Sequence, residues 1–242
     1  MTTLKECLEL VVKANHILAH EGVVDAFGHV SIRHPDDPNK FLLSRSRSPA
    51  LVSEEDIQVF DLEGKLLGDD GRKPYLERFI HAGVYANRAE VKSVVHDHSI
   101  EILPFSVSTT PLKPILHTTG CIGEEVPVWD IRDKFGDTNM LVSSIDQGLD
   151  LAKTMGKNPT ALMRGHGAVV ACPGVFESVL TAIYLNINAE ALSRVISLGG
   201  KVKYMTPREV EMSGKDALIS PFAINRAWDY FLRRAGYETA GD

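Results

Sequence analysis

An α/β domain built around one mixed, largely antiparallel sheet is the fold the sequence predicts, on three observations. Short β-branched or alternating segments recur along the chain, stretches of helical apolar spacing separate them, and nothing between them reads as a linker, repeat or low-complexity tract. Several strand-like segments are joined by tight turns, which favours hairpins and hence antiparallel pairing. The 242 residues are 44% hydrophobic, enough for a substantial core without disulfide staples, and we read 1–242 as a single domain.

Residues 3–20 place Leu4, Leu8, Val11, Val12, Ile17 and Leu18 at helical spacing, with Thr3 and Glu6 set as a capping box and Gly22 as the stop. HVSIRH (29–34), KFLLSR (40–45) and DIQVFDLEGKLL (56–67) read as strands. PDDPN and SPALVSEED separate them, and Glu63-Gly64 forms a hairpin tip. Helical spacing returns from Pro74 to Asn87, which puts Glu77 on that helix, and VKSVVHDH (91–98) reads as a buried strand. PLKPILHTTG (111–120) and EEVPVWD (124–130) suggest two more strands, and SSIDQGLDLAKTMG (143–156) a helix. TALMRGHGAVVAC (160–172) reads as one strand with a glycine break, residues 174–200 as a long helix, and NRAWDYFLRRAG (225–236) as a terminal helix.

Net charge is −6 and the only dense basic run is SRSRS (44–48), which argues against nucleic acid as a partner and leaves room for a small anion. The three cysteines, Cys7, Cys121 and Cys172, form no CxxC pair and suit a reducing compartment. The N-terminal segment mixes charged with apolar residues rather than forming a signal-peptide core, and no stretch reaches membrane-spanning length. The expectation is a soluble cytoplasmic protein without a membrane partner.

In a strand, residues two apart project from the same face, so His96 and His98 point together while Asp97 points away. Taken alone, that pair is a weak signal and reads more readily as two surface or core imidazoles. In MRGHGAVV, however, His166 lies between two glycines, which permit a tight bend that exposes the ring. Glu77, on the helix before the histidine strand, can return toward the strand end. Three neutral imidazoles and a carboxylate suit a first-row divalent ion with room for a chelating substrate.

Glu77, His81 four residues on, His96 nineteen residues after Glu77, then His98 and the late GHG with His166 together resemble the class II aldolase/adducin family. The resemblance runs from the first helix through the long helix. It implies a three-layer α/β/α fold with a nine-stranded, mainly antiparallel sheet, and cyclic homotetramers with active sites between neighbouring subunits. It also implies that His96, His98 and His166 are metal ligands, and that Glu77 is a further ligand able to leave the metal and act as acid or base.

The departures bear on the substrate. Where the family's sugar-phosphate aldolases carry Gly-Asn-hydrophobic-Ser, FGHVS has His29 in place of Asn. Their Thr-Gly phosphate contact falls on Ser46 and Arg47, and the two serines before the glutamate become Tyr75 and Leu76. Small donors give way to bulk, apolar surface and a guanidinium suited to a carboxylate. FGHVS, PLKPILHTTG and RGHGAVVACPG look like the family's decarboxylase branch.

The resemblance therefore implies a divalent-metal-dependent decarboxylase of a hydroxy-substituted aromatic or heteroaromatic carboxylate. A dihydroxyphthalate and a 3-hydroxy-2-methylpyridine-4,5-dicarboxylate are examples. The alternatives are a class II retro-aldolase acting on a non-phosphorylated hydroxyketone and a non-catalytic adducin-like interaction domain. Ser46, Arg47 and Tyr75 are the expected substrate contacts, and His29, His117 or Glu77 the proton donor. Manganese is favoured by the branch and zinc comes next, with cobalt or iron also compatible with the donor set. His81 is expected to pack a helix, Asp97 to support its strand, and Tyr204, Trp228 and Tyr230 to serve the core or an interface.

Overall fold

The computed structural model describes residues 3–68, 71–214 and 220–239. Helix α1 (Leu4–His20) starts on the Thr3–Glu6 capping box, in which each residue satisfies a backbone N–H of the other. There follow β1 (His29–Arg33), β2 (Lys40–Ser44), β3 (Ile57–Asp61), β4 (Leu66–Leu67), α2 (Arg78–Asn87), β5 (Ser93–Asp97), and short α3 (Leu103–Ser106). Then come β6 (Val128–Trp129), short α4 (Arg132–Phe135), α5 (Ile145–Met155), β7 (Thr160–Met163), β8 (Gly167–Cys172), α6 (Val175–Ser197), α7 (Pro207–Ser213) and α8 (Pro221–Arg234). No helix among the described residues is long and apolar enough to cross a membrane.

The strands form one sheet in the order β4-β3-β2-β1-β5-β8-β7-β6. Every pairing is antiparallel except β6 with β7. Alternation along the strands separates two cores. Val30, Ile32, Leu42, Val95 and Val170 pack with α1, α6 and α8, whereas Phe41, Leu43, Val94 and Val169 pack with α2 and α5. This is the expected three-layer α/β/α sandwich.

The same parity puts His29, Ser31 and Arg33 of β1, and His96 of β5, on the α2 face. α2 and α5 approach closely because glycine meets glycine at their crossing. A Cβ on Gly83 would lie 2.2 Å from the Gly148 carbonyl carbon, and one on Gly148 would lie 2.0 Å from the Phe79 carbonyl oxygen.

The strand count and three element readings are corrected. The sheet has eight strands among the described residues, not nine. Residues 111–120 do not form a strand: Pro111 and Pro114 cannot donate to a ladder, and the segment hangs instead on the buried Asn188 side chain of α6. Asn188 donates to the Lys113 carbonyl at 2.9 Å and accepts from Ile115 N–H and Thr119 Oγ1 at 3.0 Å each, after which residues 117–122 wind into a 3₁₀ turn.

Second, 160–172 is a hairpin of two strands rather than one broken strand, with Gly165 at φ 62° turning the chain beside His166. Third, the helix expected from Pro74 begins only at Arg78, because Pro74 makes a bridge to Arg45 and Glu77 is the N-cap residue. α7 had no counterpart in the sequence reading.

Candidate metal centre

Four elements bring Glu77, His96, His98 and His166 together. β5 supplies His96 and, one residue past its end, His98. The β7–β8 turn supplies His166, and the start of α2 supplies Glu77. One ligand atom from each lies within 4.8 Å of all the others. Because Glu77 precedes the first helical turn, its carboxylate is aimed at the sheet rather than along a helix flank, and Oε1 is fixed by the Val142 N–H at 3.0 Å. Oε2 lies 3.6 Å from His96 Nε2 and 3.5 Å from His166 Nε2.

His96 Nδ1 stands 3.0 Å from the Ala168 carbonyl oxygen. A carbonyl only accepts, so Nδ1 carries the hydrogen and Nε2 presents a lone pair to the cluster. His98 Nε2 lies 3.0 Å from that lone pair. His166 Nδ1 is buried without a hydrogen-bond partner, so that ring is oriented through Nε2 alone. Convergent imidazole nitrogens plus one carboxylate oxygen form a donor set that fits a divalent first-row cation.

Burial pushes the Glu77 carboxyl up, but the neighbouring His166 and His96 outweigh it and hold it far below the usual carboxylate range. The carboxylate is therefore ionised at neutral pH. Burial, with the positive charge of His96 and His166, pulls His98 down to about 4. For His96, burial acts downward, yet the Glu77 carboxylate more than offsets it and the pKa is raised.

Of the other residues singled out in the sequence, His29 stands directly across the β1–β5 ladder from His96, with ring centroids 5.2 Å apart. Tyr75 packs on His29 at 4.4 Å and donates its hydroxyl to the Arg47 carbonyl oxygen. Arg47 is turned toward Asp56, where Arg45 Nε, Arg47 Nη1 and Arg72 Nη1 lie 2.6, 3.3 and 3.7 Å from one carboxylate. Three guanidiniums thus approach the buried Asp56.

Ser46 is exposed, its N–H bonded to the Lys73 carbonyl. His117 is not brought to the cluster of its own chain: it is exposed and lines a separate cavity of about 470 Å3 with Tyr204 and Met205. Asp97 faces away and is buried, as expected. Trp228 stacks on Phe176 at 4.1 Å in the core, and Tyr230 is exposed.

His81 is more than a packing residue. Its Nε2 lies 2.7 Å from His29 Nδ1 and its Nδ1 lies 2.6 Å from Ser31 Oγ, which in turn meets the Tyr85 hydroxyl at 2.8 Å. Sequence reasoning missed Ser31 and Tyr85. The available signal was spacing: Ser31 shares a strand face with His29, and Tyr85 lies one helical turn beyond His81.

Comparison with known proteins matches residues 9–192 to the Class II Aldolase and Adducin N-terminal domain. The chain belongs to the class II aldolase and adducin family. Within it, the chain is 30% identical to decarboxylase tropJ of Talaromyces stipitatus, over 93% of this chain and 92% of that one. It is 27% identical to a 3,4-dihydroxyphthalate decarboxylase of Arthrobacter keyseri, again over 93% and 92%. Among solved structures, an aldolase II superfamily protein from Pseudomonas syringae superposes with a TM-score of 0.78 at 16% identity, covering 97% of this chain and 94% of that one. That likeness extends the family's fold to nearly the full length of the chain.

Proposed function

We propose that the chain is a divalent-metal-dependent decarboxylase of a hydroxy-substituted aromatic or heteroaromatic carboxylate, working in the cytoplasm in a catabolic pathway. The observation that carries this reading is a complete three-histidine, one-glutamate cluster flanked by the buried imidazole His29 and the ring of Tyr75. Similarity to decarboxylase tropJ and to 3,4-dihydroxyphthalate decarboxylases supports the reaction class.

His96, His98, His166 and Glu77 would hold the ion. When bound, it supplies Lewis acidity toward a ring hydroxyl oxygen and its neighbouring carboxylate or carbonyl. Manganese is the favoured ion and zinc the next. The chain's own residues orient the ring and exclude water. Phe27, 64% exposed with its ring 6.3 Å from that of His98, gives the cluster an apolar rim. Tyr75 offers an aromatic wall beside His29. The Arg47 guanidinium, held 3.3 Å from Asp56 on the Tyr75 side of the cluster, supports an anionic guest, with Arg47 and Ser46 on its carboxylate.

In the reaction, the ring carbon bearing the leaving carboxylate accepts a proton. The carbon–carbon bond then breaks, its electron pair returns to the ring, and carbon dioxide departs. His29, buried beside His96 and Tyr75, is the residue we assign to donate a hydrogen bond or a proton there. Glu77, held ionised, is suited to ligation and to receiving a proton. His117 is exposed and apart from its own cluster, so its part in the reaction is played from a neighbouring subunit of a homotetramer.

The test is carbon dioxide release by protein loaded with manganese or zinc from a panel of dihydroxyphthalates and hydroxypyridine dicarboxylates, with hydroxyketone cleavage measured in parallel. Release from at least one acid, lost in His98→Ala, is expected. Aldol cleavage without decarboxylation would replace this reading with the retro-aldolase.

A further inference from the structure

A series of buried polar groups leads away from the metal-type cluster and ends inside the protein. His29, His81, Ser31 and Tyr85 are 2%, 0%, 0% and 1% exposed, and the three links between them measure 2.7, 2.6 and 2.8 Å. Burial and the charges of neighbouring histidines pull His29 well below its ordinary value, and burial first, then His96, pulls His81 down to about 3. A 2.7 Å contact between two ring nitrogens needs one hydrogen between them, and two imidazoles enclosed side by side in the interior are neutral, so each carries one hydrogen, as does each hydroxyl.

Four hydrogens are available for three links, and the chain can be filled in two directions. In the inward direction His29 Nδ1–H donates to His81, His81 to Ser31, and Ser31 to Tyr85. The phenol hydrogen, or the Ser31 hydrogen if Tyr85 donates to Ser31 instead, is then left without an acceptor in the series. In the outward direction Tyr85 donates to Ser31, Ser31 to His81 Nδ1, and His81 Nε2–H to His29 Nδ1. All three links are made and the fourth hydrogen sits on His29 Nε2. Only this direction uses every hydroxyl hydrogen within the series.

We propose that His81, Ser31 and Tyr85 are positioning residues that hold His29 in the tautomer with its hydrogen on Nε2, giving the site an N–H donor for an anionic substrate oxygen. The tautomer follows from this hydrogen-bond chain alone; the substrate oxygen rests on the decarboxylase reading. Tyr85 is a dead end rather than a proton source, since burial pushes its hydroxyl well above the usual phenol range and no charged base adjoins it in the series. The series sets polarity and does not conduct.

Solid-state 15N spectra of zinc-loaded, histidine-labelled protein test the first part without any activity measurement, the His29 signal being assigned by its loss in His29→Gln. The expected spectrum has His29 protonated at Nε2 with a hydrogen-bonded, unprotonated Nδ1. A hydrogen on His29 Nδ1 would overturn the proposal even if the enzyme decarboxylates.

Kinetics on the acid identified by the panel test the second part. His81→Leu and Tyr85→Phe should each lower kcat roughly tenfold, the rate equivalent of one hydrogen bond, with little change in KM. His81→Gln, whose amide can still donate to Nδ1, should recover most of that loss. Equal losses in His81→Leu and His81→Gln, or a loss confined to KM, would reduce the three residues to packing. If no acid is decarboxylated, the spectrum still decides the tautomer.

Discussion

Gly167→Ala probes how tightly the cluster depends on the pairing of β5 with β8. A Cβ at Gly167 would lie 1.9 Å from the Asp97 carbonyl oxygen and 3.1 Å from His98 Cδ2, whereas ordinary contact begins at 3.4 Å. The first obstacle is backbone, so no rotamer change relieves it, and the strands must part by about 1.5 Å at this point (3.4 − 1.9). Overpacking of this kind costs about 1–3 kcal/mol, and loss of a terminal ladder bond adds about 1 kcal/mol, for a total of roughly 2–4 kcal/mol. For a chain of this size that is a fall in Tm of roughly 5–15 °C.

The same movement carries the Ala168 carbonyl away from His96 Nδ1 and displaces His166, so zinc affinity should fall about 10–100-fold. Thermal unfolding and calorimetric metal titration of the purified variant measure both. A Gly167→Ala protein as stable as the parent and equally avid for zinc would refute the argument that strand contact sets the ligand geometry.

Three further outcomes follow from particular contacts. Asp56 is depressed from 3.8 to about 2: burial acts upward, but bonds from Ser53 and Arg45 outweigh it. Its contribution is complete above the unfolded pKa and is lost as pH falls through about 2. Asp56→Asn should therefore cost on the order of 2 kcal/mol in urea unfolding at pH 7, with the gap closing by pH 2, and a pH-independent gap would contradict this. Metal and proton compete for the imidazole nitrogens of the cluster, and Glu77 strengthens the proton's side at His96 by raising its pKa. Zinc binding in buffers of different ionisation enthalpy should show net proton release and weaken toward acid pH; the absence of proton release would count against the assigned ligand set. Finally, Gly83→Ala, which meets the Gly148 backbone at 2.2 Å, should destabilise the protein by about 1–3 kcal/mol, and unchanged unfolding would show that α2 and α5 can slide apart freely.

Local chemistry made most elements legible. The Thr3–Glu6 box, the alternation in β1 to β3 and the Glu63-Gly64 turn all act over a few residues, and the structure keeps them. Where the reading failed, a distant partner decided the outcome. Residues 111–120 look like a strand until Asn188, some seventy residues on, takes up their backbone groups. Helical spacing at Pro74–Glu77 yields to the bridge with Arg45.

The four residues of the candidate centre were found because a strand pair, a glycine-flanked histidine and an upstream acid form a recognisable spacing. His81 was undervalued because its partner, His29, lies fifty-two residues away and only the sheet register brings them together. His117 shows the limit in the other direction: its sequence context suggested the pocket, but in its own chain it faces a different cavity.

The central claim is that carbon dioxide release depends on an ion held by Glu77, His96, His98 and His166. The most direct measurement is the rate of release from a hydroxyaromatic carboxylate as chelator-stripped protein is titrated with manganese or zinc. The account predicts no release at the start, a linear rise ending at one equivalent per chain, and no rise in His98→Ala or Glu77→Ala. Full activity in the stripped protein, or a metal-independent rate in His98→Ala, would contradict it.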